Sequence, residues 1–249
     1  YLKQIAKIAK KYKVIIIADE IYAELDFSGS YKSITHYYPE GTIISSGLSK
    51  WCGAGGWRIG TMIFPQNLSY IKDAIRIVAS ETFTSVSAPI QFAAIKAYSK
   101  NHQNYLNKSR KILKFISEYI FSEFTSNSIE CVQPDGGFYM LCSFSKIKII
   151  KQYKFKNSQE MCKTILSETG FAMLPGSDFG FKKNKLISRI AFVDFDGSKA
   201  LKEFSSVKKF NNNTVMKNIF PNIFNGVNSL LNWLKIKTSF DNYIGYIKN

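Results

Sequence analysis

The sequence has 249 residues, of which 45% are hydrophobic and 15% aromatic, and a formal net charge of +16. This is enough for one large domain or two modest ones with proper cores. No uninterrupted apolar run reaches the roughly 18 residues of a membrane helix, so we expect no membrane partner. The lysines are scattered rather than grouped in basic blocks, so we expect no nucleic-acid partner despite the charge.

The cysteines and histidines argue against a metal centre. The four cysteines are Cys52, Cys131, Cys142 and Cys162. They lack C-x-x-C or other metal-binding spacing, so we interpret them as reduced thiols of a cytoplasmic protein. With only His36 and His102 present, neither a histidine metal site nor a Ser-His-Asp triad is supported.

Residues 1–12 predict an amphipathic helix. Its apolar residues at helical spacing are Leu2, Ile5, Ile8 and Ala9. The helix starts at Tyr1 with no cap before it, so we expect the chain to begin inside a fold.

A continuous apolar run at 14–18, VIIIA, follows and predicts a strand buried on both faces, as in a parallel sheet. It ends at Asp19-Glu20-Ile21-Tyr22. In open α/β sheets ligands gather at the carboxyl ends of strands, so Asp19 and Tyr22 are candidate site residues. From these residues alone, Asp19 is as well explained as a helix cap or a turn residue.

A second strand, predicted at 42–46, leads to the stretch 45–60, SSGLSKWCGAGGWRIG. Lys50 lies there among apolar and small residues, where a lysine amine can serve as a nucleophile or a proton carrier. Arg58 follows and is suited to pair with a phosphate or carboxylate. A lysine for a carbonyl and an arginine for an anion indicate pyridoxal phosphate, although a surface lysine and an ion-paired arginine beside a Gly-rich turn fit the same pattern.

The remaining patterns predict further helices and strands. A third strand is expected within 57–64. Helices are expected at 67–79, 89–99, 102–124 and 158–169, the last ending at Gly170. A second sheet is expected from 129–144, with Arg189 in an apolar strand at 186–193. After a helix from Ser198, one final amphipathic helix is expected at about 214–235.

Several of these segments resemble motifs of the class I/II pyridoxal-phosphate-dependent aminotransferases of fold type I. The stretch from Gly47-Leu48-Ser49-Lys50 to Arg58-Ile59-Gly60 is similar to the family's cofactor-attachment pattern, and Asp19-Glu20-Ile21-Tyr22 to its D-E-x-Y motif. Gly136-Gly137-Phe138-Tyr139 resembles G-G-x-[FY], and the segment 175–180 resembles P-G-x-x-F-G. The resemblance extends to about residue 235.

The resemblance implies an α/β fold. Residues 1–100 would be the C-terminal part of a large, mixed-sheet, cofactor-binding domain, and residues 101–249 a small α+β C-terminal domain. Whole members of the family are longer, so we expect this chain to lack the N-terminal part. A homodimer is expected for the full-length protein.

The resemblance also implies transamination between an amino acid and a 2-oxo acid, within amino acid metabolism. Lys50 would hold pyridoxal 5'-phosphate as a Schiff base and move the substrate proton, while Asp19 would pair with the ring nitrogen and Tyr22 with the phenolic oxygen. Arg58 would bind the phosphate. Arg189 would bind the α-carboxylate of the substrate in a bidentate manner.

Two departures from the family pattern matter. Many members carry serine at the position of Gly47 as a phosphate ligand, so Ser46 or Ser49 would have to replace it. The family's upstream phosphate-binding residues, ring-stacking aromatic and N-P-T-G asparagine are not in this chain, so we expect it to bind the cofactor weakly by itself. Alternatives are other chemistry on the same cofactor, such as a β-lyase, and a non-catalytic sensor or gene fragment.

Overall fold

The structure, a computed structural model, describes residues 1–83, 85–99, 101–204 and 211–247, except for the side chains at 149 and 236–247. The contacts within the chain divide it into two compact units, Tyr1–Arg110 and Lys111–Asn249. Each unit has its own sheet. The assignment of 1–100 to a cofactor-binding domain and of 101–249 to a small domain stays a prediction.

The first unit contains a three-stranded mixed sheet. Its strands are β1 (Ile16–Asp19), β2 (Thr42–Gly47) and β3 (Gly60–Ile63), in that order. β1 is parallel to β2, and β3 is antiparallel to it. The three strands lie within or close to the segments predicted from the apolar runs. Because β1 and β2 are parallel, the residues that follow them emerge at the same edge of the sheet.

Helix α1 (Leu2–Lys11) covers one face of this sheet, as its amphipathic pattern predicts. The buried cluster on this face comprises Ala6, Ala9, Ile34 and Tyr38, with Ile16 and Ala18 packed against it. The other face carries Ile17, which is 66% exposed. The prediction that β1 is buried on both faces is therefore wrong for this structure, since its residues alternate between half-buried and exposed positions.

Three helices follow the first sheet. They are α2 (Ser69–Thr82), α3 (Ala88–Ser99) and α4 (Gln103–Ser126). Their bounds lie within a few residues of the predicted ones. α4 begins in the first unit and continues into the second.

The second unit is built on an antiparallel sheet of order β4-β5-β7-β6. These strands are β4 (Glu130–Cys131), β5 (Tyr139–Ser143), β6 (Leu174–Pro175) and β7 (Ile187–Ala191). The helices are α5 (Lys148–Gln152), α6 (Ser158–Thr169), α7 (Gly197–Glu203), α8 (Asn212–Ile219) and α9 (Pro221–Ile247). α6 ends at Gly170, whose φ of +73° closes the helix as predicted. The largest fully buried side chains of this unit include Phe124, Phe144, Phe192 and Phe220.

The last amphipathic segment forms two helices rather than the single one predicted. α8 ends at Ile219, and α9 begins at Pro221. Proline has no backbone N–H to donate, so it interrupts a helix but suits the first position of the next one. The apolar spacing passes through this break, which is why periodicity alone did not reveal it.

No helix in the described ranges is long and apolar enough to cross a membrane.

Candidate active site

Lys50 lies in a tight turn just beyond the end of β2. The turn is held by two backbone hydrogen bonds, from Gly53 N to Lys50 O (3.2 Å) and from Ala54 N to Leu48 O (3.2 Å), and Leu48 beneath it is fully buried. The half-buried Lys50 side chain places its Nζ 5.7 Å from the centre of the Tyr22 ring. The two residues, predicted from separate motifs, are therefore neighbours in the fold.

Gly47 precedes this turn and pairs with Gly60 across β2 and β3. A Cβ atom at position 47 would lie 2.8 Å from the carbonyl oxygen of Ile59 and 3.3 Å from Cα of Gly60. Both obstacles are backbone atoms, which cannot rotate away. Glycine at this position is therefore explained by the close approach of β3, and a serine would not fit without a backbone shift.

Asp19 ends β1, beside the turn that carries Lys50. It is the register partner of Ser45 on β2, and paired residues in a sheet point to the same face. Its carboxylate is exposed, and Oδ1 accepts a hydrogen bond from Ile21 N at 3.3 Å. Asp19 therefore presents a negative charge at the sheet edge where β2 also ends.

The segment after Tyr22 is tied to helix α4. Arg110 is buried, and its Nε donates to the carbonyl oxygen of Glu24 at 2.8 Å. Its Nη2 lies 3.3 Å from Oε2 of Glu24, which forms an ion pair. These contacts hold the 3-10 turn Ala23–Leu25 that directly follows Tyr22.

Arg58 adopts a left-handed backbone conformation, with φ +53° and ψ +45°. This region is unfavourable for side chains other than glycine and is found where the surrounding structure requires it. Its Nη1 donates to Gly55 O at 2.9 Å, and the residue is exposed. The turn thus directs a guanidinium toward open space beside β2 and β3.

That open space is a cavity of about 690 Å³. Its polar lining includes Arg58, Ser45, Ser46, Ser85 and Ser87. A cation with several hydroxyl groups is a suitable set of donors for a phosphate. The volume lies in the usual range of roughly 300–1,000 Å³ for small-molecule sites.

The two serines proposed to replace the family's phosphate ligand are placed differently. Ser46 lines this cavity but pairs with Thr61, on the sheet face opposite to that of Asp19. Ser49 lies in the turn beside Lys50 and is not among the lining residues. Ser45 was not selected as a site residue from the sequence, yet it lines the cavity and shares the face of Asp19. Strand alternation was the signal that could have found it.

Behind the sheet is a second cavity, of about 460 Å³. The buried Trp51, next to Lys50, lies against it, with its ring centre 5.8 Å from that of His102 and 6.4 Å from that of Tyr98. Burial raises the pKa of the next residue, Cys52. The contacts of the Trp51 ring with His102 and Tyr98 support the Lys50 turn.

Arg189 lies in the second unit, in the middle of β7. Its guanidinium carbon Cζ is 4.0 Å from the centre of the Tyr139 ring and 4.1 Å from that of the Phe179 ring. Its Nε is buried and has no hydrogen-bond partner. Among the described residues, no carboxylate forms an ion pair with it. A half-buried cation with an unsatisfied donor is suited to receive an external anion.

Tyr139 and Phe179 were not assigned roles from the sequence. Tyr139 begins β5 directly opposite Ala191, and Phe179 ends the 3-10 turn Gly176–Phe179. Both belong to motifs identified in the sequence, G-G-x-[FY] and P-G-x-x-F-G. The motifs did not indicate that either ring contacts Arg189. The tertiary structure brings both rings beside the same guanidinium.

Within the described part of the chain, no group of three or more His, Cys, Asp or Glu side chains is arranged to hold a metal ion.

Comparison with known proteins identifies the family. The model of the family "Aminotransferase class I and II" matches residues 1–196. The aspartate aminotransferase of Bacillus sp. strain YM-2 is 31% identical over 184 residues, which cover 72% of this chain and 45% of that protein. The aspartate/prephenate aminotransferase of Thermus thermophilus is 27% identical over 208 residues, which cover 83% of this chain and 51% of that protein.

Solved structures agree on the fold. The aromatic aminotransferase of Pyrococcus horikoshii matches with a TM-score of 0.69 and 21% identity, over 95% of this chain and 55% of that one. The chain spans about half the length of the curated relatives it matches. The family match covers the Asp19, Lys50, Arg58 and Arg189 segments together. The chain therefore belongs to the class I and II aminotransferases.

Proposed function

We propose that the whole protein transfers an amino group between an amino acid and a 2-oxo acid, with Lys50 as the residue that attaches the cofactor. Members of this family depend on pyridoxal 5'-phosphate. The observation that carries the proposal is the position of the Lys50 amine, 5.7 Å from the Tyr22 ring at the edge where β1 and β2 both end. Two separate motifs thereby contribute to one place.

The residues of the first unit are compatible with this cofactor. A primary amine on Lys50 suits its aldehyde, and the exposed carboxylate of Asp19 suits a protonated ring nitrogen. The exposed guanidinium of Arg58, on a cavity lined by serines, suits its phosphate. When bound, the cofactor supplies an electron sink that stabilises negative charge at the substrate's α-carbon.

Lys50 has two tasks in this proposal. Its Nζ would hold the cofactor and, once the substrate is bound, would move the proton at the substrate's α-carbon. A base held within reach of that proton contributes typically 10²–10⁴-fold to such a step. The hydrogen-bonded turn around Lys50 restrains where the amine lies.

Asp19 and Tyr22 tune the site. Asp19 would hold the ring nitrogen's proton through its negative charge, and Tyr22 would donate a hydrogen bond to the phenolic oxygen. The contacts of Arg110 with Glu24 restrain the backbone that directly follows Tyr22. For the phosphate, we propose Arg58 and Ser46 as ligands, with Ser45 as an addition that the cavity lining supports. Ser49 as a ligand stays a prediction.

Arg189 is proposed to bind the substrate's α-carboxylate. A planar guanidinium meets a carboxylate edge to edge through two N–H donors, which orients the amino acid as well as binding it. The rings of Tyr139 and Phe179 lie beside this guanidinium and restrain it. The relatives include aspartate and aspartate/prephenate aminotransferases, which supports an amino acid substrate without selecting one.

The homodimer and the cytoplasmic location stay predictions.

The attachment of the cofactor can be tested by borohydride trapping. The chain is incubated with pyridoxal 5'-phosphate, reduced with borohydride and digested, and the labelled lysines are identified by mass spectrometry. We expect Lys50 to be labelled preferentially and the visible absorption band to disappear in Lys50→Arg, which keeps the positive charge. Lys32→Arg, at an exposed lysine of the first unit, is the matched control and should change neither. Equal labelling of many lysines, unaffected by Lys50→Arg, would contradict the proposal.

Transamination itself is tested on the whole protein. Single amino acids are added to the cofactor-loaded protein, and the corresponding 2-oxo acid is measured. Formation of the oxo acid, lost in Lys50→Arg, is the expected result. Binding of amino acids without any oxo acid would instead favour a sensor.

A further inference from the structure

Cys131 and Cys142 face each other across two antiparallel strands of the second unit. They are register partners on β4 and β5, and their Sγ atoms are 3.1 Å apart. Both are free thiols in this structure. The proposed function uses neither of them.

The backbone register places this pair at a favourable position for a covalent bond. The next pair along the strands is hydrogen-bonded, with Val132 N donating to Leu141 O at 3.0 Å. In an antiparallel ladder hydrogen-bonded and non-hydrogen-bonded pairs alternate, so the cysteines occupy a non-hydrogen-bonded position. There the Cα atoms are closest, at ~4.5 Å, which is within the 4.4–6.8 Å that disulfides usually span.

The two thiols differ in their access to solvent. Cys142 is 1% exposed, whereas Cys131 is only partly buried. The hydrogen bond with Cys131, together with burial, raises the pKa of Cys142 above that of an ordinary thiol. A reagent from solution therefore meets Cys131 first, and Cys142 is available to react within the protein.

We propose that Cys131 and Cys142 form a dithiol modification site that reacts with low-molecular-weight disulfides. The thiolate of Cys131 attacks one sulfur of the small disulfide, whose S–S bond breaks and releases one small thiol. The thiolate of Cys142 then attacks Cys131 Sγ in this mixed disulfide and displaces the second small thiol. The cysteine pair is oxidised by two electrons, the small disulfide is reduced to two thiols, and the two thiol protons leave with the products.

The site lies one strand away from Arg189. β5 carries Cys142 and pairs with β7, where Cys142 is opposite Ser188 and Leu141 is opposite Arg189. β4 is an edge strand paired only with β5 among the described strands. A disulfide would therefore fasten this edge strand to the neighbour of the strand that carries Arg189. Its formation does not depend on the proposed aminotransferase activity.

Oxidation of the folded chain by oxidised glutathione tests the site. After free thiols are alkylated, trypsin should yield the peptide 115–146, which contains both cysteines and no other. We expect this peptide to be lighter by about 2 Da than its reduced, unalkylated form, for the two hydrogens lost. Cleavage before Asp135, the one acidic residue between the cysteines, should leave two fragments joined until they are reduced.

Single variants assign the order of reaction. Cys142→Ser should stop at a stable mixed disulfide on Cys131, and Cys131→Ser should leave Cys142 largely unmodified. A double variant, Cys52→Ser with Cys162→Ser, is the matched control and should still form the bond. The proposal is overturned if the folded wild-type chain retains glutathione on Cys131, fails to react, or forms the bond only in urea.

Discussion

The guanidinium carbon of Arg189 lies 4.1 Å from the centre of the Phe179 ring. The Tyr139 ring is equally close, at 4.0 Å. Both rings therefore lie beside the same guanidinium. Each ring face attracts a cation, by about 0.5–2 kcal/mol depending on exposure. The pair of rings therefore restrains the Arg189 side chain and leaves its positive charge in place. A carboxylate partner would neutralise that charge.

Replacing Phe179 by leucine should weaken substrate binding in the whole protein. The variant keeps an apolar side chain but loses the ring face, so the Arg189 side chain gains conformational freedom. Binding of the substrate's α-carboxylate must then restrict that freedom. We expect an increase of roughly 2- to 30-fold in KM for the amino acid, corresponding to about 0.5–2 kcal/mol, with a smaller change in kcat. Steady-state kinetics measures both.

Conservative variants separate this effect from simple loss of structure. Phe179→Tyr and Tyr139→Phe both keep an aromatic ring and should stay close to wild type. If Phe179→Leu binds substrate normally while Arg189→Lys does not, Arg189 acts without help from the ring.

Gly47→Ser should destabilise the first unit rather than supply a phosphate ligand. The added Cβ would lie 2.8 Å from the carbonyl oxygen of Ile59, so the backbone has to move. Overpacking of this kind costs typically 1–3 kcal/mol. Urea denaturation measures the loss. Gly56→Ala is the matched control, because a Cβ there meets nothing within 4 Å, and unchanged stability of Gly47→Ser would refute the packing argument.

Two substitutions at Arg58 separate backbone strain from ligand binding. Arg58→Ala keeps the unfavourable left-handed conformation, whereas Arg58→Gly relieves it. The glycine variant should be the more stable by about 1 kcal/mol in thermal or urea unfolding. Both should weaken cofactor binding to the same extent, as measured by titration with pyridoxal 5'-phosphate. Equal stability of the two variants would mean that the strain is absent.

The ion pair between Lys10 and Glu40, 2.6 Å long, predicts a dependence on pH. The hydrogen bond between them raises the pKa of Lys10 and lowers the pKa of Glu40. A carboxyl with a lowered pKa stabilises the fold above its unfolded pKa, and this contribution disappears as pH falls through the folded value. The contribution of Lys10 is complete below its unfolded pKa and disappears as pH rises through its raised value.

Glu40→Gln should therefore be less stable than wild type near neutral pH, by a small amount because both groups are exposed. The two unfolding midpoints should converge once the pH falls below the lowered pKa of folded Glu40, where the carboxyl is protonated in both states. Urea midpoints across this pH range provide the measurement. A difference that persists at low pH would have a cause other than charge.

Local patterns predicted most secondary structure elements but not where helices break. The helix 158–169 and the strand around Arg189 were expected from spacing, and both are found. The division between α8 and α9 was missed, because apolar periodicity continues through Pro221 while its missing N–H ends the hydrogen-bond ladder. The burial of β1 was also misjudged, since an apolar run does not say which neighbours are present to cover it.

The sequence by itself determined which chemical groups the protein has and in what order. The motifs around Asp19, Lys50 and Arg58 were sufficient to predict the family, because their residue types and spacing are set by the chain alone. The tertiary structure decided what lies next to what. It brought Tyr22 beside Lys50, two rings beside Arg189, and the sulfur of Cys131 beside that of Cys142. Such neighbours depend on strand register and on loops closing over many residues, which no local pattern records.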